Sequence, residues 1–387
     1  MYERRPSSGL LGLILASSTL TVMGGAIIGP VVNEIAGSLN VSASSAGLII
    51  TMHGAFVFLL SPVAGSIIDR VGAKRPLVAG LMLYGFAGGA GLFVDSYAGL
   101  LLSRALLGIA IAFIFTAVTV VILGLYGGME RNRMMGFRAS ANSLGGTLWP
   151  LLGGALGVVS WHLPFGVYLA GIPLAVLLRA YMPEVRSRST RDAGSLLSVL
   201  GRSPALFVVY AAMLVTMLLL YANIVYIPRL LDQAGISTTF HVGLFLAAMG
   251  LAAAITASRY HVIRTHLEYR TMYPVAFSLW VVAFGLIYLM PSLPAYGIGV
   301  ALFGIGQGLM LPTAMLWVGD LVPPSFRGRF SSYITTFGFL GQFLSPIVFA
   351  PVAAAPDVNR VFLAAAIVAA AGLALSLVGV ALWRASG

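Results

Sequence analysis

Gly65-Ser-Ile-Ile-Asp-Arg-Val-Gly-Ala-Lys-Arg-Pro76, "GSIIDRVGAKRP", puts Asp69, Arg70, Lys74 and Arg75 within seven residues of a chain that is only 9% charged. Apolar runs flank it at 45–68 and 76–95. A bilayer core of about 30 Å takes roughly 20 apolar helical residues to cross, and each run reaches that length. The stretch therefore reads as a water-side link between two membrane-spanning helices.

The same test applied outward finds further runs at 10–37, 98–126, 134–159, 163–182, 204–231, 238–259, 271–290, 294–319, 330–352 and 359–384, which makes twelve. A hydrophobic content of 59% and a mean hydropathy of +0.98 lie far outside the range of soluble domains. The expectation is an all-α integral membrane protein of twelve transmembrane helices with little soluble mass. The N-terminus "MYERRPSSGLLGLILASSTLTVMGG" imitates a signal peptide, but its apolar run continues past Ile28, so it reads as a retained first span.

A net charge of +11 would suit nucleic acid, but its placement argues otherwise. With alternating spans, nearly every Lys and Arg, Arg131, Arg133 and Arg138 included, falls on the N-terminal side of the membrane; the opposite side keeps Arg229 and Arg360. That asymmetry is the positive-inside pattern and predicts a cell membrane protein with both termini cytoplasmic. The expected partner of this charge is the lipid bilayer with its anionic headgroups, with no nucleic acid.

The longest polar segment, Met182 to Pro204, divides the chain into a six-helix bundle at 1–182, a linker at 183–203 and a second bundle at 204–387. Sliding the chain by 196 residues sets "RALLGIAIAF" at Arg104 on "VALFGIGQGL" at Val300, Arg131 and Arg133 on Arg327 and Arg329, Gly145 on Gly341, and Pro150 on Pro346. Near the ends of spans 1 and 7 the offset is 198, pairing Pro30 with Pro228 and Glu34 with Asp232. A nearly constant offset over several spans predicts two pseudo-symmetric bundles in parallel orientation, a repeat layout of secondary transporters.

With the duplication in hand, "GSIIDRVGAKRP" resembles the loop 2–3 signature of the major facilitator superfamily, through Gly65, Asp69, Arg70, Gly72, Lys74 and Arg75. "RALLG" from Arg104 looks like that family's span 4 motif. "GTLWPLLGG", with Gly145, Pro150, Gly153 and Gly154, is similar to the span 5 motif of its proton antiporters, but Trp149 stands where that motif has glycine. The resemblance implies the twelve-helix major facilitator fold, a cytoplasmic gate built on the loop, proton handling by Arg104, and a cavity lined by spans 1, 4, 7 and 10. In that gate Asp69 would face the start of span 11, and Arg70 and Arg75 would pair with Glu130 or Asp320.

Charge inside a membrane is costly and points to function. Arg104 and His53 lie at similar depth in spans 4 and 2, and histidine is the side chain best suited to titrate near neutrality. With Glu34 and Asp232 they are the proton-coupling candidates, the two acids serving equally well as an outer gate. Candidates for the substrate cavity are Trp149, Tyr221, Asn223, Tyr226, Gln307, Met310 and Gln342, an aromatic and methionine surface suited to an uncharged or cationic amphipathic compound.

The chain has no cysteine, so it carries no disulfide framework and no thiolate metal site. It also lacks His-Glu-x-x-His and a P-loop, which argues against an enzyme, a metal, a cofactor and ATP as energy source. The expectation is a monomeric secondary active transporter that exports small amphipathic organic substrates by alternating access in exchange for protons. The alternatives are a metabolite or nutrient symporter or uniporter of the same fold, and a transport-inactive membrane sensor.

Overall fold

The structure is a computed structural model that describes residues 8–185, 203, 205–323, 327–354 and 357–386. The described residues form helices joined by short links. The first half contains α1 (Ser8–Ala26), α2 (Val32–Ser38), α3 (Ala43–Val71), α4 (Lys74–Gly89), α5 (Tyr97–Leu125), α6 (Gly128–Gly157), α7 (Leu163–Gly166) and α8 (Gly171–Tyr181). The second half contains α9 (Ala205–Gln233), α10 (Thr239–Ser258), α11 (Tyr260–His266), α12 (Tyr269–Leu289), α13 (Leu293–Leu321), α14 (Arg327–Ala353) and α15 (Asn359–Ser386). A 3₁₀ turn joins α1 to α2, and another joins α7 to α8, so each pair makes one span.

Ten segments among the described residues are long and apolar enough to cross a membrane. Two more complete the twelve and fall short for visible reasons. Helix α4 has only 16 residues before it tightens into a 3₁₀ turn at Ala90–Leu92. Helix α6 opens on Glu130, Arg131 and Arg133, which hide its first turns in a hydropathy reading. Span 5 therefore starts at Gly128, six residues earlier than the apolar run suggests.

Contacts divide the chain into two units: residues 1–41, 45–190 and 238–243 in the first, and 42–44, 191–237 and 244–387 in the second. Within each, helices approach closely through glycines, as membrane helices do when van der Waals packing drives association. The duplication is visible in these contacts. A Cβ on Gly108 would overlap the backbone carbonyl of His53, and 196 residues on, a Cβ on Gly304 would overlap the carbonyl of Met249. Trp149 Nε1 donates to the Thr19 carbonyl at 3.1 Å, and Ser345 Oγ, again 196 residues on, donates to the Leu218 carbonyl at 2.7 Å. In each unit the fifth span is thus tied to the middle of the first by a side-chain donor at one repeat position.

Candidate transport site

Asp69, Arg70 and Arg75 of the opening stretch are exposed at the junction of α3 and α4. Gly72 turns the chain there with φ +89°, a left-handed conformation that favours glycine. Helix α4 then begins Lys74-Arg75-Pro76, with no acid in its first turn although helix N-termini favour negative charge. The negative charge comes from Glu184, far along the chain. The Lys74 N–H donates to Glu184 Oε1 at 3.2 Å, the Ala73 N–H donates to the Val185 carbonyl at 2.8 Å, and the carboxylate fills the space a Cβ on Gly72 would take. Glu184 lies in the segment expected as a linker, and a helix start lacking its own acid is the sequence signal that called for such a partner.

Gly72→Ala is accordingly expected to destabilise the first unit by about 1–2 kcal/mol, from the left-handed backbone and the clash with Glu184. Thermal unfolding in nanodiscs checks this. Combined with Glu184→Ala, which removes the same contact, the loss should be less than the sum of the single losses.

Arg104, about two turns into α5, is fully buried. One Nη donates to the Gly88 carbonyl and to Ser103 Oγ, both at 3.0 Å, and the guanidinium carbon lies 4.8 Å from the centre of the Tyr168 ring and 5.0 Å from that of Phe165. Its Nε and other Nη have no hydrogen-bond partner among the described residues. Stacking on desolvated rings is worth roughly 2 kcal/mol and offsets part of the cost of the buried cation. His53 is 1% exposed, and its imidazole lies against Gly24 and Gly25 of α1. Tyr168 donates to the Gly24 carbonyl at 2.9 Å and Tyr84 to the Leu20 carbonyl at 2.6 Å. The structure thus gathers His53 and Arg104 with two tyrosines around one stretch of α1, which closes on them because Gly24 and Gly25 carry no side chains.

Glu34 is half-buried in α2, and Asp232 is exposed in the last turn of α9. Arg229 donates to the Ala353 carbonyl at 3.1 Å, stabilising the end of α14 where its last carbonyls lack helical partners.

Along α6, Arg138, Asn142, Gly145, Trp149 and Gly153 share the face turned to α1. Gly145 makes room for the Trp149 indole, 2.9 Å from where its Cβ would stand, and a Cβ on Gly153 would overlap the Ile27 carbonyl. The span 5 glycines therefore act as close-approach residues, Pro150 and Gly154 are buried beside them, and half-buried Trp149 lies along the helix. Arg138, counted from the sequence with the water-side arginines, sits about three turns into α6 and is only 5% exposed. Its Nε donates to Ser18 Oγ at 3.0 Å, Nη1 to Thr119 Oγ1 at 2.6 Å and Nη2 to the Phe115 carbonyl at 3.3 Å.

In the second unit Asn223 and Tyr226 are fully buried. The Asn223 amide donates to the Leu219 carbonyl of its own helix at 3.1 Å, while Tyr226 donates to the Pro346 carbonyl at 3.4 Å and meets the Phe349 ring edge-on at 6.4 Å. Tyr221, Met310 and Gln342 are buried, and Gln307 is half-buried on α13. Asp320 lines a hollow of its own unit with Arg264, Glu268, Arg270 and Trp317.

The family model described as Major Facilitator Superfamily matches residues 14–346. "Multidrug resistance protein 1" of Bacillus subtilis (strain 168) is 25% identical over 97% of this chain and 96% of its own length. An uncharacterized MFS-type transporter of Burkholderia mallei (strain SAVP1) is 29% identical over 88% of this chain and 84% of its own. Among solved structures, a bacterial homolog to the human lysosomal transporter Spinster, inward-facing and occupied, superposes with a TM-score of 0.79 at 16% identity, covering 97% of each chain. A POT family transporter in complex with a thioalcohol-conjugated peptide superposes with a TM-score of 0.80 at 12% identity, covering 97% of this chain and 96% of that one. Both likenesses show the fold, and the match across most of the chain shows the family: the chain is a multi-pass membrane transporter of the major facilitator superfamily.

Proposed function

We propose that the chain exports small amphipathic organic compounds across the cell membrane in exchange for protons, by alternating access. The observation that carries this reading is the cluster in the first unit, where His53 and Arg104 are buried together with no carboxylate beside Arg104 among the described residues. A titratable ring next to a fixed cation is a device for binding a proton in one state and releasing it in another. An inward proton releases about 1.4 kcal/mol per pH unit and about 2.3 kcal/mol per 100 mV of membrane potential, enough to drive uphill export. The similarity to a protein named for multidrug resistance supports drug-like substrates.

In this reading the charges of loop 65–76, with Glu130, form the cytoplasmic gate, and the transporter works as a monomer. The test is accumulation of ethidium, tryptophol and indole-3-acetate, a cation, a neutral compound and an anion, by purified protein in inside-out proteoliposomes under an imposed pH gradient. Gradient-driven accumulation supports antiport, gradient-independent equilibration supports a uniporter, and no flux of any probe supports the sensor. Both termini are expected on the cytoplasmic side, so tags at either end should stay unlabelled from outside intact cells. Labelling of a C-terminal tag from outside would overturn the topology.

A further inference from the structure

We propose that Arg138, with Asn142, is the anchor for an anionic group of the transported compound, so that the substrate class is an amphipathic organic acid. This rests on the transport reading above and names the charge of its substrate; it reverses the uncharged or cationic ligand expected from the aromatic and methionine residues.

The first ground is charge balance. Arg138 is buried within a span, and the three groups its nitrogens reach, Ser18, Thr119 and the Phe115 carbonyl, are all neutral. The acids among the described residues lie in loops or within a turn of a helix end. A buried arginine within a membrane-spanning helix is costly without a counter-charge. Hydrogen bonds to neutral groups and a place 4.6 Å from the Phe115 ring centre offset only part of that cost.

The second ground is the sister bundle, which serves as an internal control. At the repeat positions 196 residues on, Arg138 becomes Ile334, Thr119 becomes Met315 and Asn142 becomes Gly338. Ile334 is fully buried, and a Cβ on Gly338 would face Met217 at 3.3 Å. The packing of the fifth span against the first is thus achieved with apolar residues, and the architecture does not require a cation there.

The third ground is unspent donor capacity. A guanidinium has five N–H donors, and three are used. Ser18 Oγ donates to Asn142 Oδ1 at 3.0 Å, which leaves the half-buried Asn142 amide N–H groups to donate elsewhere. Fork and amide together match the planar, multi-acceptor geometry of a carboxylate. Ser18 and Thr119 hold the fork in place, and the rings of Phe115 and Trp149 offer apolar surface nearby.

The test uses the full chain in nanodiscs at fixed ionic strength, with thermal unfolding followed in indole-3-acetate, tryptophol or tryptamine. These share one ring and carry negative, zero and positive charge. Indole-3-acetate is expected to raise the midpoint most. Its excess over tryptophol should vanish in Arg138→Gln and survive in part in Arg138→Lys, which keeps the charge but loses the fork. Should Arg138→Gln fail to fold, Asn142→Ala replaces it and should reduce the excess. A wild-type shift no larger for the acid than for the alcohol or amine, or an excess that Arg138→Gln or Asn142→Ala leaves intact, overturns the proposal. Because this is a binding measurement, it is separable from transport: flux of tryptamine without preference for the acid would sustain the transport reading and sink this one.

Discussion

Replacing Gly108 or Gly304 by valine is expected to cost about 1–3 kcal/mol or more and to lower the unfolding midpoint of the bundle concerned. At each position the new side chain would run into a backbone carbonyl, of His53 or Met249, which cannot rotate away as a side-chain tip can. The helices α3 and α5, or α10 and α13, would have to separate along their length, exposing packing that drives association in a membrane. Gly285 and Gly379 are the controls, since a Cβ on either meets nothing within 4 Å. Differential scanning fluorimetry in nanodiscs should rank the two contact variants well below the two controls. Equal midpoints for all four would show that the glycine contacts do not hold the bundles together.

The second large effect concerns energy coupling. His53→Met is expected to abolish pH-driven accumulation while the protein folds and still binds substrate. Methionine is the residue that the second bundle carries at the equivalent position, Met249, where it is 4% exposed, so the substitution exchanges a titratable ring for a side chain this packing accommodates. Arg104→Val, the exchange toward Val300, is expected to act in the same direction by removing the fixed cation. Flux in proteoliposomes with and without the gradient separates lost coupling from lost folding. If His53→Met retains full gradient-driven accumulation, the role passes to Glu34 or Asp232. A triple variant of these three that stays coupled to protons would end the antiport reading.

The fold was legible because its signals are cumulative. Ten spans among the described residues announce themselves by length and apolarity, and the offset of 196 residues repeats over enough positions to expose the duplication. The close approaches at Gly108 and Gly304, and the donors at Trp149 and Ser345, are that offset realised in contacts. Depth within a span is partly legible too, since helical rise converts sequence distance to height: the His53 carbonyl meets Gly108, one turn along α5 from Arg104.

Direction around a helix was not legible. A helix that faces lipid on one side and packed apolar chains on the other has no polar face to betray its orientation. Asn223 and Tyr226 therefore read as cavity residues, yet one bonds to its own helix and the other to the Pro346 carbonyl. Arg138 reads as part of the membrane rim because Glu130, Arg131 and Arg133 conceal the start of α6, yet it is buried. The role of Glu184 is not legible for a different reason: its partner, the α4 N-terminus, lies 110 residues earlier, and no periodicity links them.

The two bundles differ where the basic residues lie. Both share one packing scheme, but His53, Arg104 and Arg138 have Met249, Val300 and Ile334 as their repeat equivalents. The buried basic chemistry is concentrated in the first bundle, and the second has apolar residues in the corresponding places.

Cycling of this scaffold is directly testable because the chain has no native cysteine. A single cysteine replaces Thr19, half-buried in α1 beside Gly145, in otherwise unaltered protein. A membrane-impermeant maleimide is then applied to one side or the other of sealed vesicles. Labelling is expected from either side, with the balance between the two shifting when the pH gradient is reversed. Labelling confined to one side under both gradients would contradict alternating access.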